Sequence, residues 1–348
     1  MQKKCVFCGQ PPENKTKEHV IPRWLIEATG DPKRMVAFGT HKLHSADSSP
    51  KTFAFDQLSF PACASCNSGF SKLEDKAKSV MESLLGKRSL GMCDLDVLLD
   101  WLDKVRTGIW LGLMMLEQNP WGIEPKFHIA NRIGLRDRSV GICLIEGRRP
   151  GINLIGPESP CFGLSPTTMC LLVNDIGFFS SSTIGLCSRR LGFPFPNNPI
   201  PTEGGNLEYD IEPGLERILR PVEPLGPLHA QPFIYQPIFA AELKSPAAEA
   251  FNTAYVAANS FDLSNGKADL FIQSSDTLSK YGEALSMAWV PKQSLSLRET
   301  YLLGRRWAYK KLERHYAEQA YGTDRLRAVW GTIHKRLLSL YESGLASA

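Results

Sequence analysis

No apolar run in this 348-residue chain approaches the ~20 residues that cross a bilayer. The longest, around Gly108 to Leu116, reads as part of a core helix. The opening residues, Met1-Gln2-Lys3-Lys4-Cys5, carry charge with no apolar h-region behind it, so a secretory leader is not expected. There is no glycine-rich nucleotide-binding fingerprint, no nucleophile elbow and no internal repeat. The net charge is only +4, too small to argue for a polyanionic partner by itself. With 43% hydrophobic and 22% charged residues, the composition is that of an ordinary soluble globular protein, expected in the cytoplasm.

The cysteines are specific. Two Cys-x-x-Cys pairs, Cys5/Cys8 and Cys63/Cys66, are separated by 54 residues. Four thiolates at these spacings suit one tetrahedral structural Zn2+. A disulfide pairing would need a secretory context, and a thioredoxin-like redox site would use one pair in a βαβ setting. Cys93, Cys143, Cys161, Cys170 and Cys187 lie scattered in apolar context and read as buried free thiols. Between the pairs runs Lys17-Glu18-His19-Val20-Ile21-Pro22-Arg23-Trp24, and Asn67 follows the second pair at once. Carboxylate and amide oxygens are hard ligands suited to Mg2+ or Mn2+, unlike soft thiolates. A histidine titrates near neutrality and can accept a proton from water. Soft and hard donors are thus kept apart, as two metals with two tasks require.

Taken together, Cys-x-x-Cys, K-E-H-V-I-P-R-W-L and C-x-x-C-N-S-G-F-S-K-L-E, over residues 5 to 75, resemble the zinc-knuckle subgroup of the HNH nuclease superfamily. The resemblance implies a treble-clef, ββα-metal unit in which His19 is the general base. Glu18 takes the place of the usual aspartate and, with Asn67, would ligate the catalytic Mg2+ or Mn2+. The implied reaction is phosphodiester hydrolysis leaving 5′-phosphate and 3′-hydroxyl ends. Two positions depart from the pattern. The middle asparagine is absent from Asp56-Gln57-Leu58-Ser59-Phe60, which leaves Gln57 or Asp56 to orient the histidine loop. The last metal position can lie one turn into the helix, where Phe70 and Ser71 stand. Glu74 is seven residues past Asn67, about 10.5 Å along a helix axis. It is expected behind the ligands, or as an exposed partner of Lys78.

Around this motif the chain reads as α+β. A helix capped by Asn67 carries Phe70, Leu73, Ala77, Val80, Met81, Leu84 and Leu85 on one face and stops at Gly86. Its N-terminus would favour a phosphate, with Lys15, Lys17, Arg23 and Lys72 as candidate backbone contacts. Trp24 and Leu25, after Pro22, read as a short helix whose tryptophan packs into the core. A polar insert from Gly30 to Asp56 holds His41 and His44 and is placed to meet substrate or another domain. Leu95 to Leu116 is helical up to Pro120 and Gly122. Strands are expected at residues 127–129, 140–145, 152–155, 169–173 and 176–179, with a tight turn at Asn174-Asp175. Pro194 to Pro237 reads as a linker. From Leu297 two helices are expected, divided at Gly322: the first bears a basic line of Arg306, Lys310 and Arg314, the second packs Leu326 to Leu340.

The expected domains are a ββα-metal module (1–90), a mixed helix and β-rich middle (91–297) and a basic helical segment (298–348). Residues 1–90 hold 14 Lys/Arg against 9 Asp/Glu, and residues 298–342 hold 10 against 5, with an acidic middle between them. Basic ends fit a grip on a polyanion. The expectation is a metal-dependent endonuclease acting on nucleic acid, DNA first, of the restriction or phage-defence type. Its further partners would be a defence-system protein or a second copy, and no membrane. The alternative is a zinc-knuckle module that binds nucleic acid without cutting it, which would need no base beside hard ligands.

Overall fold

The computed structural model describes residues 4–38, 51–119, 124–147, 149–159, 162–163, 165–201, 207–212, 231–238, 266–274, 277–280 and 294–319. The first unit has strand β1 (Thr16–Glu18), helix α1 (Arg23–Ala28), a hairpin of β2 (Met35–Phe38) and β3 (Lys51–Ala54), strand β4 (Phe60–Ala62) and helix α2 (Ala64–Leu85). β1 and β4 pair antiparallel, with Glu18 opposite Phe60 and Thr16 opposite Ala62. α2 follows β4 after one residue, and its buried face of Ala77, Val80, Met81 and Leu84 is the one the periodicity predicts. The start differs. The N-cap is Cys63, not Asn67, because the knuckle turn is itself helical: the Asn67 N–H donates to the Cys63 carbonyl at 3.0 Å. Gly86 closes the helix as expected.

Helix α3 (Met92–Leu116) is buried at every position from Trp101 to Met114. A helix buried all round lies between two layers. On one side is the first unit. An added Cβ on Gly108 would meet Val20 Cγ1 at 2.6 Å, and one on Gly112 would collide with the Phe60 ring. Glycine is needed at both positions so that the helix axis can approach. Gly112→Ala should therefore destabilise the protein. Overpacking costs about 1–3 kcal/mol, and alanine's helix preference returns at most about 1 kcal/mol. Urea denaturation should show a lower midpoint, and an unchanged midpoint would mean Phe60 yields freely.

On the other side of α3 stands an eight-stranded sheet of β5 (Arg138–Glu146), β6 (Ile152–Ile155), β7 (Thr168–Val173), β8 (Ile176–Ser182), β11 (Phe233–Gln236), β12 (Phe271–Ser274), β13 (Thr277–Lys280) and β14 (Ser294–Ser296). The order is β13-β12-β11-β5-β8-β7-β6, antiparallel throughout, and β14 adds parallel to the far end of β5. Side chains alternate between the faces. Val140, Ile142, Met169, Leu171, Val173, Ile176 and Phe178 belong to the same core as α3. Cys143, Ile145, Cys170, Leu172 and Phe179 pack in a second core with Trp307 of helix α4 (Leu297–Gln319), whose ring meets Phe179 edge-on at 5.6 Å. Charge also ties α3 to the sheet: buried Arg138 of β5 pairs with Asp96 at 2.9 Å and with Asp100, while Asp103 pairs with Arg106. Burial works to raise the Asp103 pKa, but Arg106 and Arg138 hold it below the usual carboxylate value.

Several expectations need correction. Residues 127–129 form no strand; a single 3-10 turn at Ile129–Asn131 follows, because Ile129 and Ala130 donate their N–H groups to the Val6 and Phe7 carbonyls of the first knuckle. The stretch from Pro194 to Pro237 is not a mere linker. It contains the ribbon of β9 (Phe195–Pro201) and β10 (Leu207–Glu212), a two-stranded pairing that tolerates prolines, and β11, buried between β5 and β12. Cys93 is exposed, whereas Cys143, Cys170 and Cys187 are buried as expected. His41, His44, Cys161 and the helix expected from Leu326 to Leu340 lie outside the described residues.

Candidate metal centre and histidine loop

The two knuckles meet where β4 turns into α2. The sulfurs of Cys5, Cys8, Cys63 and Cys66 all lie within 4.8 Å of one another, and Cys8 Sγ is 3.8 Å from Cys63 Sγ. Zn–S bonds of about 2.3 Å in a tetrahedron give S···S edges of about 3.8 Å. Main-chain donors aim at the sulfurs: Cys63 N–H at Cys5 Sγ (3.3 Å) and Glu13 N–H at Cys63 Sγ (3.4 Å). Burial, with the neighbouring sulfurs, pushes the Cys66 thiol up to about 12. At Cys5 burial works the same way, but main-chain and side-chain hydrogen bonds instead lower the thiol, and a divalent cation at the centre of the four sulfurs would favour thiolates throughout. This four-cysteine cluster is able to hold a metal ion such as zinc.

His19 leaves the end of β1, and its Nε2–H donates to the main-chain carbonyl of Asp56 at 2.8 Å. A carbonyl only accepts, so Nε2 carries a proton, and the neutral tautomer that fits this bond has its lone pair on Nδ1. The carbonyl is itself fixed by a 3-10 turn at Phe55–Gln57, tied by Asp56 N–H to Pro32 O (3.0 Å) and Phe55 N–H to Arg34 O (3.0 Å). Asp56 thus orients the histidine through its main chain rather than its carboxylate. The Gln57 side chain is exposed and bonds nothing among the described residues.

Asn67 turns back onto β1. Its Nδ2 donates to Thr16 Oγ1 and to the Lys17 carbonyl, both at 3.2 Å, while Oδ1 takes no hydrogen bond among the described residues. Thr16, which Asn67 bonds, and Glu18 lie on the same face of β1. Glu18 is buried and its Oε1 accepts from Lys104 Nζ at 2.5 Å, while Oε2 accepts no hydrogen bond among the described residues. Glu74 does not pair with Lys78. Its Oε1 also takes Lys104, and its Oε2 takes the Trp24 indole N–H at 3.3 Å. Burial raises the Glu74 pKa against the pull of Lys104; burial lowers that of Lys104, but Glu74 and Glu18 more than offset it and leave it raised.

The sequence reading did not find Lys104. The signal was present as a lysine in a helix whose apolar residues Leu98, Leu102, Val105 and Ile109 surround it in sequence, a position where an unpaired ammonium would be costly, but Asp103 and Arg106 beside it masked it. The candidate phosphate contacts Lys15, Lys17, Arg23 and Lys72 are exposed, and Arg23 pairs with Glu27 on its own helix at 2.9 Å. On α4, Arg306 and Lys310 are exposed; the Arg314 side chain is outside the described set.

Comparison with protein-family models, with curated proteins and with solved structures finds no match. Among the described residues no helix is long and apolar enough to cross a membrane.

Proposed function

We propose that this chain is a metal-dependent endonuclease of the HNH type, with Zn2+ on the four cysteines and a catalytic Mg2+ or Mn2+ on Glu18 and Asn67. The observation that carries the reading is the hydrogen bond from His19 Nε2 to the Asp56 carbonyl, which leaves Nδ1 to take a proton from water. Two acceptor oxygens that take no hydrogen bond among the described residues support it, Glu18 Oε2 and Asn67 Oδ1, both of the hard-donor type, and Glu18 adjoins His19 in sequence. When bound, the catalytic cation supplies Lewis acidity toward the phosphate and the leaving oxygen. Glu18 and Asn67 would hold that cation; Lys104 and Thr16 bond those two side chains, and the Asp56 carbonyl takes His19 Nε2, which leaves Nδ1 as the nitrogen to accept a proton.

The test is incubation of the purified protein with supercoiled plasmid and with structured RNA, with and without Mg2+ or Mn2+. Nicked, linear or shortened products that require the added cation are expected; intact substrates under every condition would end the nuclease reading. One observation favours the non-cutting alternative, since Lys104 already occupies one oxygen of Glu18. Binding without cleavage in the same assay would select it.

The basic face of α4 is assigned to backbone contact. Reversing the charge of Arg306, Lys310 and Arg314 together should weaken binding and flatten its dependence on salt, because fewer counterions are released. Single-turnover cleavage at saturating protein should persist. Unchanged affinity and salt slope would show that the face is merely solvated.

A further inference from the structure

Lys104, Gly108 and Gly112 recur every four residues on α3 and therefore share one face. Each meets the first unit at a different point: Lys104 at Glu18, Gly108 at Val20 and Gly112 at Phe60. Val20 follows His19, and Phe60 is the pairing partner of Glu18 on β4. The two glycines let the helix lie close enough for a fully buried ammonium to reach the Glu18-His19 dipeptide. Lys104 has no exposed side-chain surface, and its carboxylate partners keep 9% and 17% of theirs. Its Nζ also lies 5.9 Å from the centre of the Phe7 ring, within the first knuckle, and Phe7 stacks on Phe70 of α2 at 4.6 Å. One cation thus sits where the first knuckle, β1, α2 and α3 converge.

Replacing a buried ionic cluster by apolar residues of similar volume is often neutral or stabilising, so such a group is weak evidence of a purely stabilising role. The geometry supplies another role. With Oε1 tied to Lys104, the Glu18 carboxylate cannot rotate freely, and Oε2 is left without a hydrogen bond among the described residues, on the strand face that also carries Thr16, the partner of Asn67. Glu74 completes the arrangement by taking a second Lys104 proton while anchored through Trp24, so the ammonium is itself held. We propose that Lys104 is a positioning residue for the cation site: it grips one oxygen of Glu18 and presents the other to Mg2+ or Mn2+. The inference rests on the metal-dependent reading above. It adds that the site is completed by a helix from beyond the ββα unit.

The experiment is Mn2+ binding to the zinc-loaded full chain, followed by the electron paramagnetic resonance signal of free Mn2+. Four variants are compared with the parent: Lys104→Met, Glu18→Gln, the two combined, and Lys104→Met with Glu74→Gln. The last removes the repulsion that two facing carboxylates would suffer without the lysine, so it carries the test if Lys104→Met alone does not fold. Lys104→Met and Lys104→Met/Glu74→Gln should each weaken Mn2+ binding at least tenfold. In the Glu18→Gln background Lys104→Met should bring no further loss, because it acts only through Glu18. Zinc content and melting temperature of Lys104→Met/Glu74→Gln should match the parent, which separates positioning from a structural role. If that double variant keeps its zinc and binds Mn2+ like the parent, or if the losses with Glu18→Gln simply add, Lys104 does not position Glu18. If the parent binds no Mn2+ at all, the catalytic-cation reading fails and this inference falls with it.

Discussion

Cys63→Ser is expected to strip the metal from the chain and to unfold the first unit rather than merely loosen it. Binding of a structural Zn2+ to a small unit is worth about 10–16 kcal/mol, as large as the whole stability of a typical domain at about 5–15 kcal/mol. Cys63 has more than one task. It is the N-cap of α2, its N–H points at Cys5 Sγ, its sulfur receives the Glu13 N–H, and its carbonyl takes the Asn67 N–H. A serine hydroxyl is a poor substitute for a thiolate on zinc, so the two knuckles would separate. The start of α2 and the β1–β4 pairing would lose their anchor. The measurements are zinc content, loss of far-ultraviolet helical signal and proteolytic cleavage within residues 5–90. Because α3 packs on this unit through Gly108 and Gly112, the melting temperature of the whole chain should fall as well. A metal-free variant with parental helix content and protease resistance would show that the cysteines are not a structural centre.

The parts of this molecule that were legible in sequence are those fixed by local chemistry. Knuckle spacing is nearly covalent geometry, so the meeting of Cys5, Cys8, Cys63 and Cys66 could be read directly. Short apolar runs at 140–145, 169–173 and 176–179, the period-3.6 face of α2 and the helical spacing of leucines in α3 were visible for the same reason. What stayed hidden depends on groups with no residue signature or on distant contacts. The main-chain carbonyl of Asp56 orients His19, and any residue type could have supplied it. Lys104 meets Glu18 across 86 positions of chain, which no local pattern encodes. β11 escaped notice because it is short and follows a proline-rich ribbon, yet its neighbours on both sides bury all four residues. The helix start at Cys63 was displaced by the turn that the knuckle imposes, overriding the N-cap preference of Asn67.

His19→Ala is expected to reduce single-turnover cleavage at least ~100-fold, the usual loss when a general base is removed. Folding should be nearly unaffected. The side chain is half-buried and, among the described residues, makes one hydrogen bond, to the Asp56 carbonyl, worth about 0.5–1.5 kcal/mol net. His19 is not among the four residues that could hold the zinc, so zinc content should equal that of the parent. The Mn2+ affinity should also persist, since Glu18 and Asn67 remain. Asn67→Ala should give the opposite pattern: the histidine keeps its tautomer, but more Mg2+ is needed for half-maximal rate because a ligand oxygen has gone. The pair of variants therefore separates proton transfer from metal binding within one site. Adding imidazole to His19→Ala should restore part of the rate, because a small base can enter the vacated space and act on the same water. Cleavage by His19→Ala at the parental rate, with zinc and fold intact, would move the chemistry away from the Glu18-His19 dipeptide altogether.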